Sequence, residues 1–171
     1  GRGWARKKDE TSVQGKRQAA ASAGPTKPTI EATAWPDDAT ERLKARPDSV
    51  LNYARTKAEA STTWTAATPL EEYTLTYSTG DKAKDVTLII AQWSASDNAK
   101  TQYDALASAQ TGDELAAGNV KVSGSTTGSY TVKVDALDGK NAVAIWQNDT
   151  VVFRATGAQA AVERFYQKFP L

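Results

Sequence analysis

Residues 142–155 leave the backbone little choice. Ala142-Val-Ala-Ile-Trp-Gln147 and Thr150-Val-Val-Phe-Arg-Ala155 are apolar, β-prone runs separated by Asn148-Asp149, two residues that tolerate the positive φ of a tight turn. A two-residue turn there pairs Trp146 with Val151 and Ala144 with Phe153 on one face. On the other face it pairs Ile145 with Val152 and Val143 with Arg154. Gly157 is expected to end the second strand. Ala158, Ala161, Val162, Phe165 and Phe169 then mark a closing amphipathic helix, stopped by Pro170.

Upstream, the hydrophobic period alternates between helical and extended. Asp37 or Asp38 is expected to cap a short helix through Leu43. Pro47-Asp48-Ser49 opens a second, with Val50, Leu51, Ala54 and Ala58 on one face over residues 48–60. From Glu72 the period becomes two, with Tyr73, Leu75 and Tyr77 on one face of a strand to Ser78. Residues 85–93 form its hairpin partner. There Val86, Leu88 and Ile90 oppose Thr87, Ile89, Ala91 and Trp93, so the strand is apolar on both faces and central. Ser96 or Asp97 caps a helix carrying Ala99, Tyr103 and Leu106, which ends near Gly112. Short strands follow at 119–123 and 129–135, joined by a turn at Gly124–Gly128.

The fold expected is α+β: an antiparallel sheet of about five to six strands, helices packed on one face, in the order α-ββα-ββββα. Trp146, Phe153, Phe165 and Leu106 are expected to be buried together. A hairpin followed by a helix occurs twice, which suggests a structural pseudo-repeat.

Charge divides the chain. Residues 1–28 hold seven basic residues (Arg2, Arg6, Lys7, Lys8, Lys16, Arg17, Lys27) and two acidic ones, leaving fourteen basic against eighteen acidic in the rest. Residues 1–30 read as a flexible basic linker and 31–171 as a single domain. The mildly acidic remainder argues against nucleic acid as a partner. No run of about 18 apolar residues occurs that would cross a membrane as a helix.

The chain has no histidine, cysteine or methionine. A Ser-His-Asp triad, a Cys-His pair, a His or Cys metal site and a disulfide are therefore excluded. What remains for chemistry is carboxylate. Asp37-Asp38, Glu71-Glu72 and Asp113-Glu114 are adjacent pairs, and neighbours on a strand point to opposite faces, so none forms a facing pair by itself. Asp135-Ala-Leu-Asp138-Gly139 lacks the ligand alternation of a calcium loop and reads as a turn. Gly124-Ser-Thr-Thr-Gly128 lacks the Lys-Ser/Thr of a phosphate loop. Asn148-Asp-Thr150 matches a glycosylation acceptor that the hairpin turn already explains. Trp64, Tyr73, Trp93, Trp146, Phe153, Phe165 and Tyr166 are expected mostly to face the core, whereas Trp4 and Trp35 are freer to meet a partner. No catalytic, cofactor or metal residue is assigned.

At residues 142–171 the chain resembles the C-terminal part of uncharacterised extracytoplasmic, membrane-anchored domains of actinobacteria. The residues that carry this are Ala144-Ile-Trp-Gln-Asn-Asp-Thr-Val-Val-Phe153, Ala155-Thr-Gly157, and Phe165-Tyr166 with Phe169-Pro-Leu171. The resemblance implies an external location and a membrane tether upstream of Gly1, and it carries no functional residues.

The function expected is a non-catalytic envelope domain that binds a protein or a cell-wall component. The alternatives are a small hydrolase or glycan-active enzyme using Asp and Glu alone, and a cytosolic interaction module. The candidate partner surface is the second face of the hairpin: Val143, Ile145, Val152 and Arg154. It is open if helices cover only the Trp146 face, and closed if residues 48–60 pack over it.

Overall fold

The computed structural model describes residues 24–171. Among the described residues three α-helices and eight strands follow one another as α1 (Glu41–Lys44), β1 (Ser49–Val50), β2 (Tyr53–Ala60), β3 (Glu71–Ser78), β4 (Val86–Gln92), α2 (Ser96–Ala109), β5 (Glu114–Val122), β6 (Ser125–Val134), β7 (Asn141–Asn148), β8 (Val151–Ala158) and α3 (Gln159–Lys168). The strands form one antiparallel sheet in the order β1-β2-β3-β4-β8-β7-β6-β5. Two four-stranded meanders thus lie side by side, joined where β4 pairs with β8, and each is followed by a helix. The doubled hairpin-then-helix pattern has this origin.

The α+β class and the antiparallel sheet hold, but the strand count and helix order differ from expectation. The two additional strands come from residues 48–60, expected as a helix. Val50, Leu51, Ala54 and Ala58 have helical spacing, yet three of the eight residues of β2 are alanine, which fits either state. Pairing with β3 decides it, setting Arg55 beside Tyr77 and Ala58 beside Leu75. Leu51 takes a positive φ of 52° at the turn between β1 and β2, which a helix would forbid. α1 is capped by the Thr40 hydroxyl, which accepts from the Leu43 N–H, rather than by Asp37 or Asp38.

The helices do not share a face. α3 packs on β7, β8 and β4 from one side, and α2 packs on β7 and β8 from the other. The larger core lies under α3: Val162, Phe165 and Phe169 meet Tyr77, Leu88, Trp146 and Phe153. Trp146 stacks on Phe153 at 4.9 Å, and Phe169 meets both rings edge-on. The smaller core lies under α2, where Ala99 and Tyr103 meet Ile89, Trp93, Val143, Ile145 and Val152. Leu106, expected beside Phe153, instead borders this second core, because it belongs to α2. Strands apolar on both faces need a cover on both, and one helix face cannot supply it.

The hairpin of β7 and β8 keeps its expected faces with a shifted register. Trp146 pairs with Phe153, Ile145 with Arg154 and Asn148 with Val151, so the turn residues are Asp149 and Thr150. Asp149 supplies the positive φ, 55°. Its N–H donates to the Thr127 carbonyl (2.8 Å), and the Thr150 carbonyl accepts from the Trp93 N–H (2.9 Å). These bonds to flanking strands pin the turn one residue later. The shift moves each partner by two positions and therefore leaves every side chain on its expected side. Ser123 and Gly124, both at positive φ, make the turn from β5 to β6, so Ser125–Gly128 are strand rather than turn. Gly118 is required by close approach: a Cβ there would lie 2.9 Å from the Tyr130 ring that covers it.

The stretch before β1 is strapped to the sheet by a buried arginine. Arg55 donates to the carbonyls of Thr33 (2.7 Å) and Pro47 (3.1 Å), pairs with Asp48 (3.0 Å), and lies 3.8 Å from the centre of the Trp35 ring. Trp35 is thereby held against the larger core and is not free to meet a partner. Arg164 donates to the Pro25 carbonyl at 2.6 Å, so chain contacts with the domain begin before residue 31. Residues 1–23 of the assigned linker, Trp4 among them, lie outside the described residues.

Phe153 is fully buried between Trp146 and Phe169. Phe153→Ala is expected to cost about 3–5 kcal/mol, measured by urea unfolding. A loss below about 1 kcal/mol would show that the cluster does not carry the fold.

Candidate functional site

Val143, Ile145 and Val152 do come together, but beneath α2. Ile145 and Val152 are 0% exposed and Val143 is 6% exposed. Neither expected arrangement of this face holds: the cover is α2 with Trp64 and Trp93, not the 48–60 segment. The three aliphatics are core, and a docking surface made of them does not exist in this fold. Ile145→Lys would bury an unpaired ammonium, so loss of the cooperative thermal transition is expected, followed by circular dichroism.

Arg154 sits at the margin of this core, half-buried, with its guanidinium 5.6 Å from the centre of the Trp64 ring. Burial lowers its pKa, and the nearby Glu72 carboxylate opposes that shift. Glu72 is itself buried. It accepts from the Ser61 hydroxyl (2.6 Å), the Thr63 N–H (2.9 Å) and the Trp64 N–H (2.8 Å). It is a clasp for the loop from β2 to β3, and that loop lays Trp64 against Trp93 at 6.3 Å. Its neighbour Glu71 points the other way and accepts from Thr40 (2.9 Å). The pair is divided across the sheet, as strand alternation requires. Glu72→Ala is expected to cost about 1–3 kcal/mol by leaving buried donors unpaired and to red-shift tryptophan emission as Trp64 loosens.

Asp135–Gly139 is a turn: the Asp138 N–H donates to the Asp135 carbonyl, and the Leu137 N–H to its carboxylate. Asn148 closes β7 opposite Val151. All seven aromatic residues expected in the core are buried. Among the described residues, no three His, Cys, Asp or Glu side chains come close enough to hold a metal ion.

Two regions of the α2 side remain accessible. The first is the bare half of the sheet beyond the reach of α2. There Thr76, Thr87 and Thr156 stand in register across β3, β4 and β8, with the exposed Lys57 paired to Thr76. The second is a groove of about 360 Å³ between the first turns of α2 and the strand β6, floored by β7. Asp97, Lys100 and Tyr103 form the helix wall, Thr127 and Ser129 the strand wall, and Gln147 the floor.

Gln147 fixes the groove's shape. It is 5% exposed and donates its amide hydrogens to the carbonyls of Ser96 (3.2 Å) and Asp149 (2.9 Å). It thus ties the start of α2 to the hairpin turn, while its oxygen has no hydrogen-bond partner among the described residues. The Thr127 hydroxyl has no partner among the described residues and no accessible surface. Tyr103 and Thr131 hydroxyls meet at 2.6 Å, and burial raises the phenol's pKa, partly offset by that bond. Lys100 is neutralised by Asp104 at 2.7 Å. Asp97 and Asp149 have no ion pair among the described residues.

Sequence reasoning missed this groove. Its residues are scattered over α2, β6 and the β7–β8 turn, and no local spacing joins them. The one signal available was Gln147, a polar residue inside an apolar run.

No protein-family model matches the chain, and no curated protein or solved structure matches it at a significant level.

Proposed function

We propose that this chain is a non-catalytic binding domain of the cell envelope, anchored outside the membrane, that takes its ligand in the groove between α2 and β6. The observation that carries this reading is the groove itself: a preformed cleft whose floor holds a hydrogen-bonding oxygen that the protein leaves unused. The groove is not the roomiest hollow: one of about 470 Å³ lies along Ala60, Thr65, Leu70 and Glu72, whereas the cavity lined by Arg46, Tyr73 and Ile90 is about 10 Å³, room for roughly one water. The external location draws on the resemblance of residues 142–171; the basic N-terminal stretch is by itself more typical of the cytoplasmic side of a membrane helix.

A second reading uses the same place. Asp97 and Asp149 line one groove without ion pairs, which favours an Asp/Glu-dependent glycan hydrolase. Co-sedimentation of the full chain with purified cell-wall polymer, followed by an assay for new reducing ends, separates the two. The domain is expected to pellet with the polymer and release none. Reducing ends that disappear with Asp97→Asn or Asp149→Asn would establish the hydrolase instead. Recovery of the native protein in the cytosolic fraction would overturn the envelope location.

A further inference from the structure

We infer that the α2–β6 groove takes a primary ammonium group, an inference that rests on the binding reading above and gives its ligand a chemical class. The first support is charge. Asp97, Asp104 and Asp149 line the groove, and Lys100 is the one cation among its lining residues. Lys100 is held at Asp104 by a 2.7 Å pair, so two carboxylates stay uncompensated. The groove lies at the start of α2, where the helix dipole places about half a positive charge. That offsets only part of the two. A cation is therefore favoured there, and phosphate, sulfate and carboxylate groups are repelled.

The second is an acceptor that the fold positions and does not use. Gln147 lines the floor and is 5% exposed. Its amide hydrogens go to the carbonyls of Ser96 (3.2 Å) and Asp149 (2.9 Å), which fixes the end of the amide that carries the oxygen. That oxygen has no hydrogen-bond partner among the described residues and keeps accessible surface, unlike the sealed Thr127 hydroxyl. The same two bonds bring the acidic residues beside it. Asp149 is one bonding partner, and Asp97 directly follows the other.

The third is the character of these groups. The Gln147 oxygen and the Asp97 and Asp149 carboxylates accept hydrogen bonds and donate none. An ammonium group is their complement, since its N–H bonds donate in three directions and it accepts nothing. A guanidinium is planar and favours paired parallel bonds to one carboxylate, which leaves the other acceptors unmet. Calcium takes about six to eight oxygen ligands, and among the described residues no three acidic side chains come close enough to hold a metal ion. The groove's volume of about 360 Å³ lies within the range of small-ligand clefts, so an alkyl chain can follow the ammonium group in.

The test is chemical-shift titration of the full chain with methylamine, putrescine and cadaverine at neutral pH and constant ionic strength, reading backbone amides and the Gln147 side-chain amide. Tetramethylammonium, which has the charge without N–H donors, and propanol, which has no charge, are the controls. Saturable shifts at Asp97, Gly128, Asp149 and the Gln147 side chain are expected with at least one primary amine and with neither control. Asp97→Asn and Asp149→Asn, both still folded by their spectra, are expected to weaken binding ~10-fold or more, whereas Asp138→Asn, outside the groove, leaves it unchanged. Silence toward every primary amine overturns the inference, as does equal binding of tetramethylammonium or an affinity that survives both groove substitutions. Wall polymer separates this inference from the reading beneath it. Sedimentation that persists after the polymer's amines are acetylated leaves the envelope reading standing and removes the ammonium group. Amine binding without sedimentation does the reverse.

Discussion

Every other feature of this domain depends on three strands that are apolar on both sides. β4, β8 and β7 carry Leu88, Phe153 and Trp146 toward α3, and Ile89, Val152 and Ile145 toward α2. A sheet with two apolar faces cannot rest in water on either, so it needs a cover above and below. The chain supplies them by ending each meander in a helix. The strands of the first meander alone would leave α2 without the surface it packs on, since its partners β7 and β8 belong to the second. The halves are therefore interlocked: the first donates the helix that closes the second.

Closure on the α2 side is only partial, and the accessible regions arise from that. Fourteen residues of helix reach across β7 and β8 but not across β2 and β3. Beyond its reach the sheet turns from aliphatic to threonine. At its start, the helix is moored by Gln147 rather than by a side-chain cap, since Ala95 stands at the N-cap. The same amide that secures the helix also lines the floor of the groove. Glu72 and Arg55 do comparable work elsewhere. Each is a buried charged group whose partners are loop backbone, and each holds an otherwise irregular segment to the sheet.

Much of this fold was legible locally. Alternation placed Tyr73, Leu75 and Tyr77 on one face and divided residues 86–93 correctly between the two cores. The faces of the 142–155 hairpin survive a register error because both registers share a parity. What escaped reading was non-local. Alanine-rich β2 is helical or extended according to whether β3 lies beside it. Whether Ile145 faces water or a helix depends on where α2 lands, a helix that ends at Ala109, two strands earlier in the chain, and no spacing within the hairpin encodes that. The candidate site was illegible for the same reason: Asp97, Thr127 and Gln147 become neighbours only once both meanders have joined.

That joining has a cost in time. The seam sets Thr87 against Thr156 and Ile90 against Phe153, residues more than sixty positions apart. During synthesis the first meander and α2 emerge well before β8, so Ile89 and Ala91 must wait without the strand and the helix-covered face that enclose them in the finished domain. Contacts of such long separation form slowly because the intervening loop must first be closed. A half-made chain of this design therefore presents a sticky central strand and an unoccupied helix face until its last thirty residues appear. The interlock that secures the finished domain is also what exposes it while it is being made.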